Sequence, residues 1–165
     1  INMQIRDITP ADLSAIPDLN DPEVPHVNAM TEAMLERFVR EATYFRVAID
    51  NEALVGFLIG LTPGADYDSP NYHWFTQRYE RFIYIDRIVV AAPARGQGLG
   101  QAFYTDLGNF SRGAARLLAC EVNIRPSNEE SLRFHRHCGF EEVGRQETEG
   151  GRKEVALMIK TLVEE

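Results

Sequence analysis

The chain has no run of 18 apolar residues, so no membrane-spanning helix is expected. Its two cysteines, Cys120 and Cys138, are too few for a disulfide scaffold, and a reducing, cytoplasmic setting is the default expectation. The start lacks the basic, apolar and small-residue succession of a signal peptide. Met3 reads as the natural first residue, with Ile1 and Asn2 added ahead of it. No lysine- or arginine-rich run occurs and the formal net charge is −8, which makes general nucleic-acid binding a poor fit. Internal repeats and low-complexity stretches are absent, and no metal site is expected. What remains is an ordinary globular composition. The 165 residues are 44% hydrophobic and 25% charged, and suit a single domain over 1–165 with a sizeable core.

The charge is unevenly placed. Residues 1–80 hold 13 acids and 5 bases, whereas residues 81–165 hold 12 of each. The whole excess therefore lies in the first half. It is either a solvated surface that maintains solubility or an attractor for a cation on that side of the molecule.

Hydrophobic periodicity and punctuation give the elements. Ile5 and Ile8 mark a short first strand. Thr9-Pro10-Ala11-Asp12 then reads as a helix start, with Asp12 reaching back as in a capping box and an Ile8–Leu13 staple across it. Pro17, Pro22 and Pro25 make 17–28 a loop. Thr31 caps a second helix whose apolar face carries Met34, Leu35, Phe38, Val39 and Ala42. Tyr44 to Ile49 and Ala53 to Leu61 form a hairpin around Asp50-Asn51-Glu52. Residues 62–80 read as a long aromatic-rich loop, either a lid or pocket wall or a small subsidiary core. Phe82 to Val90 is apolar without alternation apart from Asp86 and Arg87, so it is expected in the centre of a sheet, buried on both faces.

Beyond it, Leu99, Phe103, Leu107 and Phe110 recur at helical spacing, and Leu117 to Val122 is another buried strand. Ser127-Asn128-Glu129-Glu130 reads as a capping box opening a helix that ends near Cys138, with Gly139 as its left-handed cap. A closing hairpin turns at Gly150-Gly151. The order implies an α/β fold with a mixed, mostly antiparallel twisted sheet of about seven strands and helices on both faces. The unit from 82 to 122 should be a parallel crossover.

The most informative segment is Arg95-Gly96-Gln97-Gly98-Leu99-Gly100, directly after the central strand and opening a helix. Free amides at a helix N-terminus bind anions, and glycine lets the backbone approach a phosphate. The nucleotide-binding P-loop is excluded because no lysine follows the glycines. The dinucleotide pattern is excluded because the positions needing the third glycine are Gln101 and Phe103. A tight turn with no ligand is the plain alternative.

Arg95-Gly96-Gln97-Gly98-Leu99-Gly100 after a buried strand resembles the R/Q-x-x-G-x-G/A signature of the GNAT superfamily of N-acetyltransferases. Asn128, Ser131, Phe134, His135, Gly139 and Phe140 fall on the spacing of that superfamily's second block, about 30 residues on. The element order fits over nearly the whole chain. The resemblance implies acetyl-CoA as cosubstrate, its pyrophosphate on the amides from Arg95 through Gln101 (Gly96, Gln97, Gly98, Leu99 and Gly100 between), and its pantetheine arm along Ile88, Val89 and Val90. Asn128, Ser131, Phe134 and His135 would complete the cofactor wall. An acidic protein can bind this anion because fixed amide dipoles, rather than net charge, do the binding.

The sequence departs from the pattern at two places. Pro93 stands two residues before Arg95, shifting the loop entry. His135 replaces the tyrosine that in relatives often protonates the departing CoA thiolate. At about 100° per residue, Ser131 and His135 lie within roughly 60° of Asn128 on the helix surface, so the three share a face, while Phe134 points toward the core. His135 is thus a candidate general acid or a cofactor contact. His137 reads as surface, Cys138 as packing and Cys120 as core.

Transfer to an amine also needs a base or a desolvating pocket, since an alkyl amine of pKa near ~10.4 is almost wholly protonated at neutral pH. Asp86 and Glu121 interrupt otherwise apolar strands and are the candidate catalytic carboxylates. Either could instead serve in a structural ion pair. The backbone N–H near Val90 is expected to polarise the thioester carbonyl.

The expected acceptor is a small primary amine, drawn by the acidic half with Asp66 and Asp68 in the aromatic loop. A peptide or protein amine is an alternative, and so is a non-catalytic acyl-CoA sensor. A homodimer is an expectation by analogy with relatives.

Overall fold

A nine-residue strand, β4 (Phe82–Val90), lies fourth of seven in a single sheet, its residues largely buried on both faces as a run apolar apart from Asp86 and Arg87 requires. The computed structural model describes residues 3–162, so Ile1 and Asn2, read as additions ahead of the natural start, lie outside the described residues. The other strands are β1 (Met3–Asp7), β2 (Tyr44–Asp50), β3 (Ala53–Leu61), β5 (Leu117–Arg125), β6 (Glu141–Thr148) and β7 (Lys153–Thr161). Their spatial order is β1-β2-β3-β4-β5-β7-β6, antiparallel throughout except for the β4–β5 pair. That parallel pair is the crossover expected between 82 and 122.

Side-chain alternation divides the core into two clusters, one on each face of the sheet. The first collects Phe45, Val47, Phe57, Ile59, Tyr84 and Leu157 with residues of α1 (Ile16–Asn20), α2 (Glu32–Glu41) and α3 (Pro70–Thr76). The second collects Ala48, Leu58, Ile83, Ile85, Cys120 and Met158 with residues of α4 (Leu99–Phe110) and α5 (Glu129–His137). Helices therefore cover both faces.

Three local readings are corrected. Residues 17–28 are not all loop. A 3-10 turn over Pro10–Ala15 runs straight into α1 despite Pro17, because proline at the second helical position has no amide to satisfy. Within 62–80, the Ser69 side chain accepts from the Tyr72 amide at 3.3 Å and Pro70 opens α3. Tyr72 and Phe75 are buried in the first cluster, with Trp74 and Tyr79 packed against it, while Tyr67, Ser69 and Asn71 line the cavity beside the central strand, so the segment is both main core and pocket wall. Finally, α5 is capped by Asn128 and not Ser127: the Asn128 Oδ1 accepts from the Ser131 amide at 3.3 Å.

The start at Thr9 is as expected. Asp12 Oδ2 accepts from the Thr9 amide at 2.8 Å and from Arg6 at 2.7 Å. The Arg6 hydrogen bond, opposed by burial, holds the Asp12 carboxyl at about 2. A carboxyl with a depressed folded pKa stabilises fully above its unfolded value near 3.8 and loses that contribution as pH falls toward 2. Asp12→Asn should therefore lower Tm at pH 7, and by less at pH 3. Thermal melts at both pH values check this, and an equal shift at both would reject the assignment.

Candidate active site

The site begins with strands that separate. β4 and β5 share only the rungs Phe82↔Leu117, Ile83↔Leu118 and Tyr84↔Ala119, while each runs on for six more residues. Past that vertex the facing edges diverge around a cavity of about 750 Å³. Its walls include Ile85 to Ile88 and Val90 from β4, and Cys120 to Asn123 from β5. An unpaired strand edge is a template for an extended, amide-bearing chain.

A bulge sets the chemistry on β4. Ile59 faces Arg87 while the next residue, Gly60, faces Ile85, so Asp86 is the extra residue. In a regular strand neighbouring side chains point to opposite faces. Here the slip brings Asp86 and Arg87 to the same face, where Arg87 Nε donates to Asp86 Oδ2 at 2.6 Å. The two side chains are only 5% and 4% exposed. Arg87 also donates to Asn20 Oδ1 and Asn28 O, both at 2.9 Å, and the Tyr67 hydroxyl donates to Asp86 Oδ1. Both Asp86 oxygens are thus engaged, one by Tyr67 and the other by Arg87, and Arg87 in turn holds the 20–28 segment through Asn20 and Asn28.

Glu121 differs. It is half-buried on the cavity wall, and the Tyr84 hydroxyl donates to its Oε1. Burial, reinforced by the Asp86 charge, pushes its carboxyl up to about 8. The Glu121 carboxyl therefore has a pKa suited to proton transfer near neutrality.

The glycine loop follows a 3-10 turn, Ala92–Ala94, which takes up Pro93. Gly98 is the N-cap of α4 with φ +83°, a left-handed conformation in which a β-carbon would meet nothing within 4 Å. The first intrahelical bond runs from the Ala102 amide to Gly98 O at 3.0 Å, so the amides of 98–101 precede the ladder at the positive end of the helix dipole. Gly100 is needed for another reason: a β-carbon there would lie 2.5 Å from the Phe134 ring. This open, amide-lined cradle suits a phosphate group.

The cavity brings together most of the residues expected from sequence. Asp86, Ile88, Val90, Arg95, Gly96, Gly98, Leu99, Gly100, Gln101, Glu121, Asn128, Ser131, Phe134 and His135 all line it. Two do not. The Val89 side chain is 1% exposed in the first core cluster, because the strand's parity turns it away. Gln97 is exposed on the outer side of the loop, its Nε2 donating to Pro93 O at 3.4 Å.

His135 is 3% exposed, and burial lowers its pKa, so the imidazole is neutral. Its Nδ1 lies 2.8 Å from Ser131 O, which can only accept, so Nδ1 carries the proton. Its Nε2 then accepts from the Tyr104 hydroxyl at 2.6 Å. The imidazolium acid expected from sequence is therefore not the resting form.

Tyr104 is the residue that sequence reading missed. It sits on α4 beside the apolar stripe and also lines the cavity. Asp66 and Asp68 lie outside the cavity wall, next to Arg37 at 3.1 Å and His73 at 3.1 Å respectively. The acidic wall residue of the first half is Glu23, which pairs with Arg95.

The family model described as the acetyltransferase (GNAT) family matches residues 11–140. The chain belongs to the GNAT acetyltransferase family. Acetyl-CoA is accordingly its acetyl donor, and the enzyme is an acyltransferase. Comparison with curated proteins finds no match to this chain. Solved structures of similar fold include Ard1 from Thermoplasma volcanium, with TM-score 0.81 and 18% identity over 99% of this chain and 100% of that one. NAA60 of Arabidopsis thaliana in complex with acetyl-CoA aligns with TM-score 0.76 and 19% identity over 97% and 99%. The ribosomal-protein-S18-alanine N-acetyltransferase of Escherichia coli aligns with TM-score 0.72 and 18% identity over 99% and 96%.

Among the described residues of this GNAT protein, no cluster of three or more His, Cys, Asp or Glu is arranged to hold a metal. No described helix is long and apolar enough to cross a membrane.

Proposed function

We propose that this GNAT enzyme acetylates the primary amine of a small molecule, with Glu121 taking the amine's proton. The observation that carries the reading is a segment closing one side of the cavity. Residues 21–31 run from the glycine loop, where Glu23 pairs with Arg95, to the β6–β7 hairpin, where Lys153 Nζ donates to Asn28 Oδ1 at 3.3 Å. Between these ends, Asn123 Nδ2 donates to Pro25 O and His26 O, each at 3.4 Å. A strap tied at both sides and in the middle leaves room for a compact amine more readily than for a continuous peptide groove.

The reaction then follows from the walls. The amine enters on the Glu121 face of the splayed strands and attacks the thioester carbon. The N–C bond forms, the C–S bond breaks, and the amine's proton passes to the Glu121 carboxylate. Asp86 acts through others, fixing Arg87, which in turn holds Asn20 and the strap at Asn28. The β4 backbone near Val90 is the candidate donor to the thioester oxygen.

One neighbour by fold is named for an alanine of a ribosomal protein. The decisive experiment therefore measures thiol release from acetyl-CoA across small alkyl and aryl amines, amino acids and peptides with free N-termini. Turnover confined to the small amines is expected. Turnover confined to the peptides would reverse the reading, and acetyl-CoA binding without turnover on any acceptor would overturn the proposed transfer. Both cysteines are free, Cys120 buried and Cys138 half-buried, which accords with a reducing cytoplasm.

A further inference from the structure

The cavity has unlike chemistry on the two faces of the sheet. Alternation along β5 sends Cys120 to the second core cluster and Glu121 to the opposite face, immediately past the last β4–β5 rung. Tyr104 and His135 approach this vertex on the Cys120 side, where α4 and α5 pack. The base and this pair therefore flank the place where the strands part. Breaking a thioester leaves a thiolate, so a proton or hydrogen-bond donor on the side away from the base has a clear use.

We propose that Tyr104 is the donor to the departing CoA sulfur and that Ser131 and His135 position its hydroxyl. The inference rests on acetyl-CoA as donor and is independent of which amine accepts. A second arrangement of the neutral imidazole becomes accessible when the ring turns enough to give up the Nδ1 contact with Ser131 O. In the resting one, Nδ1–H donates to Ser131 O at 2.8 Å, and Nε2 accepts from Tyr104, whose proton is then committed. In the other, the Ser131 hydroxyl, 3.2 Å from Nδ1, donates to that nitrogen. Nε2–H then donates to the Tyr104 oxygen, and the tyrosine proton is free for sulfur. As C–S breaks, the Tyr104 proton moves to sulfur and the phenolate keeps the Nε2–H bond. The amine's proton, held meanwhile on Glu121, restores the balance through solvent.

The titratable groups around Tyr104 are Cys120 and Glu121 on β5, His135 on α5 and Cys138 at its end. None is a cation, since His135 is neutral, so the donor is an uncharged phenol held by an uncharged ring. Stacking on Phe134 at 5.9 Å and contact with Phe140 at 5.2 Å hold the Tyr104 ring in place.

The test compares CoA with acetyl-CoA by titration calorimetry at pH 7 and pH 9, since only CoA presents a thiolate. Tyr104→Phe should weaken CoA binding about 10-fold at pH 9, the loss of one hydrogen bond to a charged acceptor. Acetyl-CoA affinity should stay within about twofold by the same reasoning. Its kcat should fall with the KM for acetyl-CoA unchanged. Ser131→Ala, which keeps both rings, should weaken CoA at pH 9 in the same direction by less, and serves if Tyr104→Phe does not fold. Equal losses for both ligands would show a structural role, and no loss at pH 9 would remove Tyr104 from the chemistry.

Discussion

Glu121→Gln should lower kcat by about 10²–10⁴-fold, the usual contribution of a positioned base, and should at the same time stabilise the fold at pH 8. The two effects have one cause. The Glu121 carboxyl is raised from 4.5 to about 8, first by burial and then by the Asp86 charge. A carboxyl raised on folding adds nothing below its unfolded value, where both states hold the proton. As pH rises from 4.5 toward 8, the unfolded chain releases that proton more readily than the folded one, so stability falls across this window. Glutamine keeps the oxygen that accepts from Tyr84 and cannot ionise. The variant's advantage in ΔG should therefore be near zero at pH 4.5 and on the order of a few kcal/mol at pH 8.

Denaturant melts along this pH series, together with kcat/KM profiles, check both halves. The wild-type profile should show a limb near pH 8 that the variant lacks. A variant that is inactive yet shows no pH-dependent gain in stability would mean that the residue is exposed and its role structural. A stabilised variant of full activity would assign the base elsewhere. The pattern expected, a site that holds an unfavourable charge for the sake of its chemistry, is a common stability–function compromise.

How far the sequence discloses this site depends on what its signals measure. Composition and periodicity report burial, so β4 was legible as the central strand and the glycine loop as the helix start behind it. Periodicity assumes regular strands, and the bulge at Asp86 breaks that assumption. From the pattern alone, Asp86 and Arg87 belong on opposite faces, whereas the bulge sets them side by side. Nothing local marks the bulge, because it is fixed by pairing with β3, a long-range constraint.

Helix α3 was hidden for the opposite reason. Its signals, Ser69 as cap and Pro70 at the first position, are local and correct, but its aromatic content fits a lid or pocket wall as well as a packed core and masks the helix. Tyr104 was overlooked because it adjoins the stripe of Leu99, Phe103 and Leu107. A tyrosine at the edge of such a stripe usually buries its ring and needs a partner for its hydroxyl, and that need was the available signal. Of the acidic residues in the first half, Asp66 and Asp68 lie off the cavity wall, and Glu23 on it is paired with Arg95.

Gly98→Glu should abolish acetyl-CoA binding, with affinity falling by at least about 100-fold, while the protein stays folded. The left-handed φ of +83° penalises any β-carbon, by about 1–2 kcal/mol. The space around it is open, so no steric clash adds to that cost. A carboxylate at the N-cap is itself favoured by the helix dipole, by about 0.3–1 kcal/mol, which offsets part of the strain. That same attraction is what defeats the cofactor. The new carboxylate lies over the amides of 98–101 as an intramolecular anion, and a phosphate arriving there meets a like charge as well as an occupied cradle.

Gly98→Ala separates the contributions. It carries the backbone strain alone and should bind acetyl-CoA within a few-fold of wild type, with a Tm lowered by the strain. Calorimetric titration of both variants, beside their thermal melts, gives the comparison. Retained affinity in Gly98→Glu would detach the cofactor phosphates from this helix N-terminus. Equal losses in the two variants would assign the effect to strain in the loop and leave the amides without the role given to them.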